Sequence, residues 1–339
     1  MEDNIKDTSE LQSPEESVSS GFSSSLDMTK LQSKVESLRK HLNSKVLGQE
    51  LMVDLIIAAM LADGHILLEG VPGVAKTLTA KLFAKSIGAD YSRIQFTPDL
   101  MPSDIIGTSV FDPADRKFEF KKGPVFTNIL LIDEINRSPA KTQSALFEVM
   151  EERQVTVDGK TYKFQPPFLV LATQNPIEQE GTYRLPEAQL DRFLFKVIVG
   201  YPEKDQEVHI LELHDGKVKS ENSDSPIISY EELGEFRDIV KSVKVSTEVK
   251  SYIAGISTNS RGHRSLYLGA SPRASVYLMS ASKAWAAMKG RDFVTPDDVR
   301  DMAYPVLTHR MILTTEKEMD GVKVTEVVQE LLDTTEVPR

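Results

Sequence analysis

The stretch Gly70 to Thr77, Gly-Val-Pro-Gly-Val-Ala-Lys-Thr, combines residue types that can hold a chain of phosphates. Successive backbone N–H groups that point into one concavity, just before a helix, attract an anion. Gly70 and Gly73 let such a loop turn tightly, Lys76 can reach phosphate oxygens, and the Thr77 hydroxyl can coordinate Mg2+. The alternative is an ordinary strand-to-helix turn with a solvated lysine. The predicted phosphate-binding segment consists of Gly70, Val71, Pro72, Gly73, Val74, Ala75, Lys76, Thr77 and Leu78.

Ala75 occupies the position at which the usual phosphate-loop pattern has a second glycine, directly before the lysine. A methyl group costs little at this position if the backbone is already in the right-handed helical region. We therefore predict a negative φ at Ala75, which would allow alanine to replace glycine without strain.

A second pattern places two acids, Asp133 and Glu134, directly after four apolar residues. A buried parallel strand that ends in two carboxylates presents them at the edge of the sheet where ligands bind. Asp133 would then hold Mg2+ through water, and Glu134 would deprotonate an attacking water molecule. Two acids after a strand are also common as a helix N-cap pair. Their position downstream of the phosphate loop favours the catalytic interpretation.

Three further polar residues are weaker candidates when each is taken alone. Asn175 ends another apolar run, where its amide could contact both the attacking water and a γ-phosphate. Arg192 precedes an apolar strand pattern, and Arg273 lies at the start of a predicted helix. A turn asparagine and solvated surface arginines are the ordinary interpretations.

These residues require a scaffold of alternating strands and helices. Short apolar runs that predict strands begin at His65, Tyr91, Asn128, Pro167 and Arg192, with helical patterns between them. This alternation predicts an α/β fold, a three-layer αβα core with a parallel sheet. After residue 202 the patterns are helical, with predicted caps at Ser229, Thr247, Ser271 and Thr295. We predict a tail over 1–27, a nucleotide-binding domain over 28–200, a helical connection over 201–215 and a smaller all-α lid over 216–339.

Composition narrows the functional class. The net charge of −11 argues against a duplex nucleic-acid binder, and about half of it comes from the Ser- and acid-rich residues 1–27, which we expect to be disordered. The chain has no cysteine, so disulfides and thiolate metal sites are excluded. No apolar run is long enough to cross a bilayer and no secretory signal is visible, so we expect a cytoplasmic protein without membrane insertion.

The ordered set of motifs resembles the MoxR family of AAA+ ATPases over roughly residues 40–315. The family's phosphate loop reads Gly-x-Pro-Gly-x-Ala-Lys-Thr, so the resemblance makes Ala75 a family hallmark. The match continues through Asp-Glu-Ile-Asn-Arg at 133–137, the segments 145–159 and 171–193, and Gly-Ala-Ser-Pro-Arg-Ala at 269–274. It implies the fold of AAA+ P-loop NTPases, binding of ATP and Mg2+, and ATP hydrolysis in a ring of identical subunits, expected to be a hexamer.

The resemblance also assigns roles to single residues. Asn175 matches sensor 1, and Arg273 matches sensor 2, the arginine that the lid lends to its own subunit's γ-phosphate. Arg192 matches the arginine finger offered to the neighbouring subunit. Leu47 and Gly48 match the segment beside the adenine ring. Hairpins are implied within 104–124 and 153–164, and Asp158-Gly159 independently predicts a tight turn in the second.

One departure from the family pattern and a third arginine leave the identity of the finger open. Arg184 stands where the family usually has proline, and Arg137 is a third candidate, although Arg192 ranks first by motif position. The family implies chaperone-like remodelling, maturation or metal insertion of client proteins, often ones with von Willebrand factor A domains. The alternatives are a motor acting on nucleic acid, and a nucleotide-gated platform that does not hydrolyse.

Overall fold

The computed structural model describes residues 23–176, 183, 185–215 and 225–338. Up to residue 215 the elements are α1 (Ser23–Asn43), α2 (Glu50–Leu61), β1 (Ile66–Gly70), α3 (Lys76–Ser86), β2 (Tyr91–Gln95), α4 (Pro102–Ile106), β3 (Gly107–Asp112), β4 (Lys117–Lys122), β5 (Ile129–Asp133), a 3-10 helix (Ile135–Arg137), α5 (Ala140–Glu152), β6 (Gln154–Val157), β7 (Lys160–Lys163), β8 (Leu169–Gln174), α6 (Glu187–Leu190), β9 (Phe195–Val199) and α7 (Lys204–His214). The remaining elements are α8 (Tyr230–Ser242), α9 (Thr247–Arg261), β10 (Leu266–Leu268), α10 (Pro272–Met288), α11 (Pro296–Leu307), β11 (Ile312–Leu313), α12 (Thr315–Met319) and α13 (Val324–Thr334).

The five predicted core strands form one parallel sheet in the order β2-β5-β8-β1-β9. Its registers pair Gln95 with Asp133 and Glu69 with Gln174, so the strands end together. We call this end of the sheet the carboxyl edge and the opposite end the amino edge. The predicted parallel αβα core is confirmed.

Both faces of the sheet are covered, which explains why its strands are apolar without strict alternation. Leu68, Leu131 and Leu171 face a core shared with α1, α2, α3 and the helices after residue 225. Leu67 and Ile132 face a second core that contains residues of α5. The alternation of side chains along each strand therefore supplies one layer of contacts on each side.

The two predicted hairpins are confirmed and contact each other. β3 pairs with β4, and β6 pairs with β7 through a turn in which Asp158 and Gly159 both have positive φ, at 50° and 74°. Phe120 of β4 packs on Tyr162 of β7, with ring centroids 4.8 Å apart. The hairpins therefore share an aromatic contact and do not project separately.

The lid is formed mainly by α8 to α13, as predicted, but it also contains a two-stranded sheet of β10 and β11 that the sequence analysis missed. These strands have three and two residues, too short for a periodic pattern. The predicted cap at Thr247 is wrong by one residue, since the Ser246 side chain accepts the hydrogen bond from Val249 N–H. Helix α1 begins at Ser23, so residues 23–27 of the predicted tail are helical.

A buried arginine of the lid, Arg310, joins the lid to the core. Its Nε donates to Asp191 Oδ1 at 2.8 Å, and its guanidinium also contacts the carbonyl oxygens of Phe193 and Leu194. Burial lowers the pKa of Arg310, against the opposing effect of Asp191. Because Asp191 directly precedes Arg192, this joint fixes the backbone that carries the predicted finger.

Candidate nucleotide site

The phosphate loop connects β1 to α3, as the sequence predicts. A Cβ on Gly70 would lie 2.4 Å from the Val199 carbonyl oxygen, so strand β9 excludes any side chain there. Lys76 begins α3, and its Nζ donates to the Gly70 carbonyl oxygen at 2.7 Å. Burial lowers the pKa of Lys76, whereas Asp133 and Glu134 act in the opposite direction. The lysine thus lies across the loop and faces the two acids.

The prediction of a negative φ at Ala75 is wrong. Its φ is 59° and its ψ is 14°, which is the left-handed region. Ala75 is the N-cap residue of α3, and its carbonyl oxygen accepts a hydrogen bond from Thr79 N–H at 2.9 Å. The loop sets the direction of that carbonyl, and this requirement outweighs the cost of roughly 1–2 kcal/mol for a side chain in this region.

Asp133 and Glu134 lie at the carboxyl edge, where β5 ends. Asp133 is largely buried, and Thr173 of the neighbouring strand β8 donates its hydroxyl to Asp133 Oδ1 at 3.3 Å. The same hydroxyl oxygen accepts a hydrogen bond from Glu134 N–H at 3.0 Å. Glu134 has a φ of 57° and is the N-cap residue of the 3-10 helix that follows β5. Thr173 therefore holds both acids in place.

Two further side chains bind the Glu134 carboxylate. Gln95 Nε2 donates to Glu134 Oε2 at 2.8 Å, and Arg137 Nε lies 3.0 Å from the same oxygen. Gln95 comes from the end of β2, and Arg137 from the 3-10 helix that follows Glu134. The Glu134 carboxylate is therefore held by one amide and lies within ion-pair distance of one guanidinium.

A cavity of about 390 Å³ separates the loop from the acids. Of the predicted phosphate-binding segment, every residue except Val71 lines it. Asp133, Glu134 and Asn175 line the opposite wall, so the structure brings together the lysine, the hydroxyl, the acids and the amide. Such a cavity offers cationic and N–H groups to an anion next to a candidate base, which is the arrangement that phosphoryl transfer requires.

Known proteins share this architecture. The model of the ATPase family associated with various cellular activities (AAA) matches residues 65–195, and the AAA lid domain model matches residues 258–331. The chain is 43% identical to "Chaperone MoxR1" of Mycobacterium tuberculosis, with 87% of this chain and 80% of that protein covered. It is 47% identical to the uncharacterized protein YeaC of Bacillus subtilis, with 88% of this chain and 93% of that protein covered.

The chain belongs to the MoxR family of AAA+ ATPases. A crystal structure from Cytophaga hutchinsonii, described as that of a candidate ATPase, agrees with this assignment. It superposes with a TM-score of 0.86 at 40% identity, and 94% of this chain and 98% of that chain are covered.

The two arginines assigned from the MoxR pattern, Arg192 and Arg273, lie together at the amino edge of the sheet. Arg273 donates to Glu151 Oε1 at 2.8 Å, and Arg192 Nε lies 3.6 Å from Glu151 Oε2. Neither lines the cavity at the phosphate loop. Strands of five residues span roughly 15 Å, which is more than either side chain can bridge. In this arrangement Arg273 binds Glu151 and does not line the cavity, so its contact with its own subunit's phosphates stays a prediction.

The other candidate fingers have different positions. Arg137 binds Glu134 of its own chain, as described above. Arg184 lies outside the described residues. Among the described candidates, Arg192 alone lies away from its own acid pair, with its guanidinium 5.9 Å from the ring centroid of Phe147.

Leu47 and Gly48 lie where the core meets the connection to the lid, and they do not line the cavity. Gly48 has a φ of 73°, and a Cβ there would approach Gln206 Oε1 to 2.5 Å. Gln49 Nε2 donates to the Gly200 carbonyl oxygen at 3.0 Å. Their role beside the adenine ring stays a prediction.

Three residues that were not predicted from the sequence, Arg93, Gln95 and Thr173, also line the cavity. Arg93 and Gln95 alternate along β2, so they share one face of that strand, but only the pairing of β2 with β5 shows that this face meets the acids. The available signal was the alternation of polar Arg93 and Gln95 with the buried Ile94 in the strand pattern.

Proposed function

We propose that this chain binds ATP with Mg2+ in the cavity at the carboxyl edge and hydrolyses it to ADP and phosphate. The observation that carries the proposal is the meeting of Lys76 and Thr77 with Asp133, Glu134 and Asn175 around one cavity. Family membership supports the same activity.

Thr77 and Asp133 fit a magnesium ion, because both line the cavity and both offer the oxygen ligands that Mg2+ prefers. The ion would neutralise charge on the phosphate oxygens, with Asp133 acting through water. Lys76 contributes a fixed positive charge, and the N–H groups at the start of α3 add a favourable dipole. Glu134 accepts the proton of the attacking water, and Asn175 orients that water.

We propose that Arg192 and Arg273 serve the nucleotide of a neighbouring subunit. Both lie at the amino edge on one carboxylate, Glu151, while the cavity lies at the other edge. Hydrolysis would then require a ring in which the amino edge of one subunit meets the cavity of the next. A hexamer is the ring we propose on family resemblance.

The ring would drive a chaperone-like cycle on client proteins. A relative that is 43% identical bears the name chaperone, and this is the support for the role. Clients with von Willebrand factor A domains, and metal insertion into them, are proposed on resemblance to the family.

The test measures binding of a fluorescent ATP analogue and release of phosphate. Lys76→Ala should weaken binding at least about tenfold, because the charge facing the phosphates is lost. Glu134→Gln should bind normally and turn over about 10²–10⁴-fold more slowly, because the base is removed.

Lys81→Ala is the matched control, since Lys81 lies on the same helix α3 but is exposed and outside the cavity. It should bind and hydrolyse like the unmodified protein. Near-normal turnover by Glu134→Gln would show that the base is a different residue. Equal affinity of Lys76→Ala and Lys81→Ala for the ATP analogue would show that this cavity is not the nucleotide site.

A further inference from the structure

Arg93 lies close to the acid of the proposed magnesium site. It sits in the middle of β2, an edge strand, and its Nε lies 2.6 Å from Asp133 Oδ2. The register pairs Gln95, not Arg93, with Asp133, so the guanidinium reaches two residues along the strand to this carboxylate. The pKa of Arg93 is raised, first by this hydrogen bond.

Both oxygens of Asp133 are engaged by the chain itself. Oδ2 accepts from Arg93, and Oδ1 accepts from the Thr173 hydroxyl at 3.3 Å. A buried carboxylate without a counter-charge is strongly unfavourable, and Arg93 removes that cost when no other cation is present. The Asp133 side chain is only 12% exposed, whereas that of Arg93 is 52% exposed. The carboxylate is therefore fixed, and the guanidinium has room to leave.

A divalent cation drawn to Asp133 would meet a positive charge already bound there. Like charges at such short range repel, and the repulsion is stronger next to a buried group than in water. Arg93 and Mg2+ therefore compete for one carboxylate. By linkage, whatever favours the Arg93–Asp133 pair must weaken the magnesium-dependent part of nucleotide binding.

We propose that Arg93 is a displaceable internal counter-ion: it neutralises Asp133 while the site is empty and is released when Mg2+ arrives with the nucleotide. The proposal rests on the proposed function, since it assumes that this cavity takes a magnesium nucleotide. Magnesium binding would then change the position of a charged side chain on the edge strand of the sheet.

The experiment titrates Mg2+ at a fixed concentration of fluorescent ADP, which is not hydrolysed, so the readout is independent of turnover. In Arg93→Gln the Mg2+ concentration at half-saturation should fall about three- to tenfold, because the competing charge is gone. Affinity for the same ADP in EDTA should be unchanged. Arg93→Met keeps the apolar stem and should behave like Arg93→Gln; thermal melting checks that both variants are folded.

Two controls locate the effect. Arg116→Gln removes an exposed arginine on the β3–β4 turn, outside the cavity, and should leave the magnesium titration unchanged. In an Asp133→Asn background Arg93→Gln should have no further effect on half-saturation, because the shared carboxylate is missing.

The outcomes separate the two proposals. An unmodified protein that binds no ADP, with or without Mg2+, overturns the proposed function. Magnesium-dependent binding that Arg93→Gln leaves unchanged overturns the counter-ion role alone. Weaker binding of Arg93→Gln in EDTA also overturns it, since Arg93 would then be a phosphate ligand.

Discussion

At the scale of single residues, the sequence predicted which residues form the motifs with fixed spacing, but it did not predict their backbone angles. Lys76, Thr77, Asp133, Glu134 and Asn175 were found because each follows a recognisable strand pattern, and they do line one cavity. The predicted negative φ of Ala75 is wrong because the preference of a single residue does not determine its backbone angle in a closed loop. The closed loop determines that angle, and the residue accepts the strain.

Replacing Ala75 with glycine should therefore be neutral or stabilising. Glycine removes the strain of the left-handed conformation, roughly 1–2 kcal/mol, but increases the entropy of the unfolded chain, which costs about 0.4–1 kcal/mol. We expect the free energy of unfolding of Ala75→Gly to rise by about 0–1 kcal/mol in urea denaturation.

The matched control is Ala254→Gly, at an exposed position inside α9. Ala254 has no positive φ, so glycine relieves no strain there, and we expect the free energy of unfolding to fall by about 1 kcal/mol. Equal destabilisation by both substitutions would contradict the account of Ala75.

At the scale of elements, the order of strands and helices along the chain was predictable, but their neighbours were not. Apolar runs bounded by polar residues predicted the five core strands and the main lid helices. Which strand pairs with which depends on contacts distant in sequence, so Arg93 and Gln95 on β2 could not be connected to β5. The position of the lid relative to the sheet depends on the same kind of distant contact. The sequence therefore did not predict that Arg273 lies outside the cavity at the phosphate loop.

The joint between lid and core depends on Arg310. Arg310→Ala would leave Asp191 without its guanidinium partner and several carbonyl oxygens without donors, so we expect the free energy of unfolding to fall by about 3–5 kcal/mol in urea. Arg310→Lys should recover little of this, because an ammonium group cannot form the same fork of hydrogen bonds.

Arg300→Ala provides the comparison. Arg300 also binds a carboxylate, Asp333 at 2.9 Å, but at an exposed site. Arg300→Ala should lower the free energy of unfolding by about 0–1 kcal/mol. Similar costs for the two alanine variants would show that burial of the Arg310 network does not stabilise the joint.

At the scale of the whole molecule, the boundary between the two predicted domains stays a prediction, while one of the two apolar cores extends from the sheet into the lid. Residues of α1, α2 and the lid helices belong to the same apolar cluster. The described residues include no helix with the length and apolar character needed to cross a bilayer. Assembly could not be derived from patterns along the chain, because it depends on surfaces that only the folded molecule displays.

The proposed ring predicts complementation between two inactive variants. Arg192→Ala lacks the finger but keeps its cavity, and Glu134→Gln lacks the base but keeps its finger. Mixed subunits should recover about a quarter or less of normal turnover, because some cavities then have both an intact base and a neighbouring arginine. Light scattering of Glu134→Gln should show a mass increase when Mg·ATP is added.

A mixture of Ala254→Gly with Glu134→Gln is the control. Because Ala254→Gly should hydrolyse ATP at a nearly normal rate, this mixture measures how turnover changes when active subunits are diluted by inactive ones. No gain in turnover on mixing, despite a ring-sized mass in light scattering, would contradict an arginine that acts across subunits.

The separation of Arg192 and Arg273 from the phosphate loop has a consequence for symmetry. In the proposed assembly, the face that donates arginines and the face that receives them lie at opposite edges of each subunit. A two-fold dimer would not satisfy both faces, so each contact would be heterologous and point the same way around the assembly. Such a chain of subunits has a direction. If it did not close, the cavity at one end would lack the neighbour's arginines, and at the other end Arg192 and Arg273 would both stay bound to their own Glu151. Closure into the proposed ring would give every subunit both a complete cavity and a partner for its arginines, so a single defective copy would break the symmetry at one defined place.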